Sequence, residues 1–347
     1  MSRKKPPAES PDEFVASSVE SPESAKVKAL EAENARLSKL LGLVESHSAG
    51  LGTPPSWARS KTKSSMAAIA CLQLSDLHLD EFVDPAEVGG LNAYSRPIAE
   101  MRLRRWAAKA VELGDRFKHD WQGAVLFWGG DMVSGSIHEE LRETNEDDLP
   151  GTMTHWAPLL ASAIRTVADF YGAVHIPCVV GNHGRLTKER PFKRRGRNSW
   201  DFLLSSMVKG LLSDDRRITW DIAQGSYLIV PLYEDNAFLT HGDEVGGGSG
   251  WSGIWTPLST AHRKGSELAA CHGKRVAYSV IGHWHSLTLA HARGISCNGS
   301  LKGADQFCLG LRLKPEPAMQ AWWAHTARHG VTVAAPVFCE DRAKEGW

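Results

Sequence analysis

The sequence predicts an α/β domain of stacked sheets and helices, preceded by a short helical segment. Two observations point to the layered domain. Short apolar runs alternate with longer amphipathic ones from Ala67 onward, and the second half is crowded with strand-like runs and turn residues. A third observation concerns chemistry. Five apolar runs stop at a glycine, serine or threonine that is followed by Asp, Asn or His.

Composition narrows the partners. A chain of 347 residues admits one large domain or two ordinary ones. The apolar share, 42%, is enough for a sizeable core. Lys plus Arg and Asp plus Glu balance at 40 each, so net charge favours neither a nucleic-acid nor a membrane partner. Its distribution says more: 185–197 (RLTKERPFKRRGR) is strongly basic and 139–148 (EELRETNEDD) acidic. Either run, taken alone, reads as a solvated loop. No apolar stretch reaches the roughly 20 residues that span a bilayer. The opening MSRKKPPAESPDEF has no apolar segment of the kind a signal peptide needs. Cys71, Cys178, Cys271, Cys297, Cys308 and Cys339 form no C-x-x-C pair and mostly adjoin apolar residues. They read as reduced thiols of a cytoplasmic protein, in a bacterium or a phage-infected cell.

The elements follow in chain order. Residues 1–24, rich in Ser, Pro, Glu and Lys, are expected to be disordered. Residues 25–46 (AKVKALEAENARLSKLLGLVES) place Val27, Leu30, Asn34, Leu37, Leu41 and Val44 at alternating spacings of three and four. That is a short coiled-coil seam, and Asn34 at an a position favours a parallel homodimer through 25–46. A lone amphipathic helix packed on the main domain is the alternative. Residues 47–66 read as a linker. The domain proper is expected over 67–314. It opens with the strand AAIACLQLSD, the helix IAEMRLRRWAAKAVELGDRFK, the strand AVLFWGGD and an acidic loop. A helix (HWAPLLASAIRTVADFYG) and the strand HIPCVVGNHG come next. The strand-like runs RITWDIA, SYLIVPLY, NAFLTHGD, RVAYSVIGHWHS and CLGLRLKP suggest a second sheet built on hairpins. Residues 315–347 are expected as an extension packing on the domain, with a turn at Pro315–Pro317, a short helix and a strand.

The chemistry sits at the strand ends. They read Ser75-Asp76-Leu77-His78, Gly129-Gly130-Asp131, Gly181-Asn182-His183-Gly184, Thr240-His241-Gly242-Asp243 and Gly282-His283-Trp284-His285. Ligand sites in open α/β sheets form beyond the carboxyl ends of strands. If these ends stay extended, Asp76 and His78 face one way, as do His283 and His285. Carboxylates, an amide and imidazoles without thiolate suit Mn, Fe, Zn or Mg. There are too many donors for one ion. A carboxylate shared between two ions would use them all, as in sites that hydrolyse phosphate esters.

D-x-H, G-D, G-N-H, H and G-H-x-H, in that order and each after a strand-like run, resemble the calcineurin-like metallophosphoesterases. The resemblance covers roughly residues 67–314. It implies an αββα sandwich carrying two divalent metal ions, Mn²⁺ first among the candidates. It also implies roles. Asp76, His78 and His285 would hold one ion, Asn182, His241 and His283 the other, and Asp131 would bridge them. Water held between the ions would attack phosphorus, with His183 assisting the leaving group. One position departs from the pattern: the family usually has an acid after G-N-H, and here stands Gly184. Asp80, Glu81 or Asp243 are the candidates to orient His183 in its place.

The second motif, GGDMVSG, lacks the continuation of protein Ser/Thr phosphatases. The motifs look more like the Mre11/SbcD-type nucleases and the phage and bacterial DNA repair exonucleases. A nucleic-acid substrate also fits the basic loop after His183, where Arg185, Lys193, Arg194, Arg195 and Arg197 are candidate phosphate contacts. Trp128, Trp251, Trp255 and Trp284 are candidate stacking residues. The glycine-rich EVGGGSGWSGIW is a candidate flap. The expected function is a nuclease acting on DNA or RNA. Its rivals are a phosphomonoesterase or cyclic-nucleotide phosphodiesterase, and a catalytically weak interaction scaffold.

Overall fold

A computed structural model describes residues 26–28, 30–31, 54–59, 64, 66–246 and 253–347. The chain divides into two units, Met1–Ser46 and His47–Trp347. In the first, Lys26–Lys28, Leu30 and Glu31 are helical, with Val27 and Leu30 exposed. The other seam positions, Asn34, Leu37, Leu41 and Val44, lie outside the described residues, as does the segment 1–24 expected to be disordered.

The second unit is an α/β sandwich of two mixed sheets. Strand β1 (Ala67–Leu74) is buried along its whole length, as a central parallel strand should be. Helix α1 (Arg96–Arg116) carries Pro97 in its first turn, where the missing N–H costs nothing, and buries Ile98, Leu103, Trp106 and Ala110 on one face. Strand β2 (Asp120–Trp128) runs parallel to β1. The acidic stretch expected as a loop contains a short helix, α2 (Glu139–Thr144). The next helix, α3 (Leu149–Tyr171), begins earlier than expected. Asp148 caps it by accepting the Gly151 N–H at 2.8 Å, and Gly172 ends it at φ 78°. Strand β3 (Val174–Cys178), helix α4 (Trp200–Leu211) and strand β4 (Ile218–Ile222) complete the first half. β4, expected in the second sheet, pairs in parallel with β3 in the first.

The second sheet orders β5 (Tyr227–Leu232), β6 (Asp235–Thr240), β7 (Tyr278–Ile281), β9 (Ile295–Cys297) and β8 (Thr288–Ala290). β5 and β6 form the expected hairpin, whereas β6, β7 and β9 are parallel. Between β6 and β7 lies helix α5 (Trp255–Cys271). Of residues 308–315, expected as a strand, 308–310 end the short helix α6 (Gln306–Gly310) and the rest form a turn and loop. Met319–Thr326, expected as a short helix, is strand β10, which pairs antiparallel with β1 and with β11 (Gly330–Phe338). The first sheet therefore runs β11-β10-β1-β2-β3-β4, and the C-terminal segment forms one side of it. A last short helix, α7, covers Arg342–Glu345.

Alternation along the strands assigns the faces. Ile69, Cys71, Val125, Phe127, Ala321 and Trp323 of the first sheet meet Leu228, Val230, Leu239, Tyr278 and Val280 of the second in one core. α1, α3 and α4 cover the far side of the first sheet, and α5 covers β6, β7 and β9. Trp57, within the expected linker, packs against the inter-sheet core, and the Ala58 carbonyl accepts the Tyr233 N–H at 2.7 Å.

Candidate metal centre

The parallel strands β1, β2, β3, β6 and β7 release their chains at the same end of the two sheets, and the five motifs occupy those exits. The backbone there is not extended. Asp76, His78, Asp131, His283 and His285 have φ of 55°, 47°, 49°, 67° and 49°. Left-handed backbone is uncommon outside glycine and collects at functional sites. The side chains therefore converge by sharp turns, not by the alternation of an extended strand. Gly181 is needed for close approach: a Cβ there would lie 2.0 Å from Asp131 Oδ1. Gly282 plays the same part for Asp76, whose Oδ2 would be 2.7 Å from an added Cβ.

Three donor groups result, each with its ligand atoms within 4.8 Å of one another: Asp76, His78 and His285; Asp131, His241 and His283; and His78, Asp131 and His183. His78 Nε2 is 3.0 Å from His285 Nε2, which is 3.5 Å from Asp76 Oδ1. His241 Nε2 is 3.0 Å from Asp131 Oδ2 and 3.2 Å from Asn182 Oδ1. Each residue expected to hold metal thus lies in this one cluster.

Neighbouring groups orient the donors. His241 Nδ1–H donates to the Gly129 carbonyl at 2.8 Å, which leaves Nε2 facing Asp131. His183 Nδ1–H donates to the Ser134 carbonyl at 2.9 Å, and its N–H donates to Asp131 Oδ1 at 2.7 Å. Its ring meets that of His78 edge-on, centroids 4.5 Å apart. Asp76 accepts the His283 N–H at 2.7 Å and the Ser75 hydroxyl. Asn298 in turn donates to Ser75 Oγ at 2.9 Å.

The charges call for a cation. Asp76 and Asp131 are buried, and the groups touching them are imidazoles, a hydroxyl and backbone amides. Burial pushes the Asp76 carboxyl up, but His285 beside it brings it below the usual carboxylate range. Burial acts on Asp131 in the same way, and His241 overcomes it. Burial lowers His78 and His283 to about 4, so their imidazoles are neutral donors near neutral pH. Imidazoles, buried carboxylates and an amide oxygen form a set that fits divalent ions such as Mn²⁺, Zn²⁺, Fe²⁺ or Mg²⁺.

Some residues of the site carry no motif. Glu81 Oε2 is 3.2 Å from His78 Nδ1, and Glu81 Oε1 accepts from the buried Lys302 at 2.7 Å. Lys302 also reaches Asp305 at 2.5 Å. Asp201 accepts backbone N–H groups of Asp131, Met132 and Gly181. Burial pushes its carboxyl up to about 6. Glu81 was among the acids expected near His183, and for Asp201 the sequence offers a signal of place only: Ser199 followed two residues later by an acid is a helix start. Of the three acids expected to orient His183, Asp80 binds Arg96 and Trp156, Glu81 serves His78, and Asp243 pairs with Arg195.

The basic loop divides. Arg195 is buried against Asp243 and Glu244, so it is not the surface phosphate contact expected. Arg185 folds back onto the carbonyls of Asn182, Thr187 and Lys188 and braces the loop that carries His183. Lys193, Arg194 and Arg197 are exposed, and Phe192 just before them is 91% exposed. Trp128, expected to stack on a substrate, is fully buried, with its ring edge-on to Trp220. Trp284 is half-buried beside α5, and Trp255 is exposed. Trp251 and the rest of 247–252, half of the glycine-rich run, lie outside the described residues. Among the described residues, no helix is long and apolar enough to cross a membrane. The cysteines are all free thiols, and Cys271 is the exposed one.

No family model and no curated protein match the chain. Among solved structures, the sulfate thiohydrolase SoxB of Thermus thermophilus, in complex with glycerol, is similar at 11% identity and a TM-score of 0.30. The match covers 80% of this chain and 57% of that one, so this chain spans little more than half of SoxB. A likeness that distant assigns no chemistry.

Proposed function

We propose that the chain is a metal-dependent phosphodiesterase of the calcineurin-like metallophosphoesterase type, acting on DNA or RNA. The observation that carries this reading is the convergence of Asp76, His78 and His285 with Asp131, His241 and His283 in one buried cluster. The first three would hold one ion, His241 and His283 with Asn182 the other, and Asp131 would lie between them. Bound divalent ions, with Mn²⁺ the first candidate, supply Lewis-acid activation of a phosphoryl oxygen and of water.

The remaining chemistry belongs to the chain. His183 is fixed through Nδ1 by the Ser134 carbonyl. In its protonated form it offers Nε2–H to the leaving oxygen, the position of a general acid. Arg185 holds the Asn182 carbonyl at 2.8 Å and so fixes that loop. Lys193, Arg194 and Arg197 supply positive charge for a polyphosphate backbone, and Phe192 an exposed ring on which a base can stack. A diester backbone uses such a loop, whereas a small monoester has no need of it.

The test is hydrolysis of bis-p-nitrophenyl phosphate and of p-nitrophenyl phosphate with added Mn²⁺, beside an Asp131→Asn control. Diester turnover lost in the control is the expected result. Turnover of the monoester alone would replace the nuclease reading with a phosphatase. No turnover of either, with metal bound, would favour a scaffold.

A further inference from the structure

We infer that Asp201 is a positioning residue that clamps the two loops carrying Asp131, Asn182 and His183, and that it stands in for a side chain at position 184. The inference rests on the metal-centre reading above. It starts from a local feature of α4. Ser199 caps the helix by accepting the Asp201 N–H at 3.2 Å, which places Asp201 in the first turn with its carboxylate pointing inward. A carboxylate so placed ordinarily serves its own helix. This one does not. Asp201 Oδ2 accepts the N–H of Asp131 at 2.9 Å and that of Gly181 at 2.9 Å, and Oδ1 accepts the N–H of Met132 at 3.1 Å. One buried anion thus joins the loop after β2 to the loop after β3. It is 1% exposed, so those three bonds are not shared with solvent.

Position 184 shows why the acid comes from here. A Cβ on Gly184 would lie 3.0 Å from Ser199 Oγ and 3.1 Å from both Asp201 Cγ and Asp201 N. The Gly184 carbonyl, on its other side, accepts the Trp200 N–H at 2.7 Å. The start of α4 therefore fills the space into which a side chain at 184 would point. The acid that the motif pattern expects after His183 is absent from that position, and a carboxylate from the next helix occupies its place. The clamp acts on metal ligands through their backbone. It fixes the left-handed turn at Asp131 and the close passage of Gly181 beside the Asp131 carboxylate. Three N–H donors need an acceptor-only group. An asparagine side chain would turn its NH₂ toward at least one of them.

The experiment uses the full chain stripped of metal, with Asp201→Asn and Gly184→Ala as variants. Mn²⁺ binding is measured by calorimetry and amide exchange by mass spectrometry. Asp201→Asn should weaken Mn²⁺ binding by about 10–100-fold, the usual effect of losing a group that orients metal ligands. It should also speed exchange at the amides of residues 131, 132 and 181. Gly184→Ala keeps the clamp but crowds it, and should weaken binding less in the same direction. Should Asp201→Asn fail to fold, the alanine variant carries the test. Both variants binding Mn²⁺ within about threefold of the parent, with exchange unchanged, would overturn the inference. A parent chain that binds no Mn²⁺ would sink the metal-centre reading instead. Exchange in the metal-free chain would then still judge the clamp: protection lost in Asp201→Asn supports it, and protection retained overturns it.

Discussion

Replacing Lys302 by Met should be among the most damaging substitutions outside the metal ligands. The Lys302 side chain is 3% exposed, and its ammonium bridges two carboxylates, Glu81 at 2.7 Å and Asp305 at 2.5 Å. Those partners are 9% and 8% exposed, so water cannot replace the cation without opening the site. Burial pushes the Glu81 carboxyl up, and Lys302 and His78 bring it well below its ordinary range. Methionine keeps most of the apolar stem and removes only the charge. Breaking one side of a buried ion pair costs about 3–5 kcal/mol, because the charge left behind is unpaired. For a unit of about 300 residues that is a fall in Tm of roughly 5–8 °C. Urea unfolding followed by tryptophan fluorescence measures it. The double variant Glu81→Gln, Lys302→Met removes the stranded charge and should regain about half of the loss, since replacing both partners is far milder than replacing one. Asp305 keeps a partner in the Cys308 N–H at 2.7 Å. A loss below about 1 kcal/mol for Lys302→Met, or a double variant no more stable than the single, would refute the reasoning.

The other expectations concern the basic loop and acid stability. Lys193→Ala, Arg194→Ala and Arg197→Ala should each flatten the slope of log affinity for nucleic acid against log salt by about 0.7–0.9, read by fluorescence anisotropy. Phe192→Ala should weaken single-strand binding by about 1–3 kcal/mol without changing that slope. Arg195→Ala should act on stability instead, because its guanidinium is buried against Asp243; an unchanged urea midpoint would contradict that placement. His175 and His325 are buried far from the metal centre, and burial lowers each to about 4. A histidine whose folded value is depressed binds fewer protons folded than unfolded. Stability should therefore be intact above about pH 6.5 and fall as pH drops toward 4, by up to about 1.4 kcal/mol per pH unit for each residue. His175→Gln should flatten that acid limb of the urea midpoint.

Much of the site was legible because metal ligation uses few residue types at fixed places. Asp76, His78, Asp131, Asn182, His241, His283 and His285 each follow an apolar run, and the runs are the parallel strands β1, β2, β3, β6 and β7. The failures have separate physical causes. Met319–Thr326 is buried on both faces between β1 and β11, so it lacks the alternation that marks a strand, and its Ala and Met content reads as helix. Arg195 looked like its neighbours in sequence, and only the distant Asp243 makes it a buried ion pair. Lys302 and Asp201 support the site through contacts made by the fold, across 221 positions for Lys302 and Glu81. No local pattern encodes such a contact.

The backbone at the ligands explains why that support is extensive. Asp76, His78, Asp131, His283 and His285 are all left-handed, at a cost of order 1–3 kcal/mol each. All five are Asp or His, which take up this backbone more readily than most side chains, so part of that cost is already lowered. The compensation is a set of bonds from elsewhere: Asp201 to the amides of Asp131 and Met132, the Asp76 N–H to the Gly130 carbonyl at 3.0 Å, the His78 N–H to the Asp131 carbonyl at 3.1 Å, and the His283 N–H to Asp76. These bonds run between segments rather than within them: the turns at Asp76, His78 and His283 are held by other turns that carry ligands, and the turn at Asp131 by the start of α4. Acidic and imidazole groups this close set one another's protonation. Burial lowers His78 and His283, and neighbouring imidazoles lower Asp76 and Asp131, so the first two are neutral and the second two ionised near neutral pH. Divalent ions would meet these four donors in the form that binds metal. A protein that keeps five strained residues, a three-amide clamp and a buried Lys302 around one cluster has a geometry to preserve, and metal ligation is the use that its donor atoms fit.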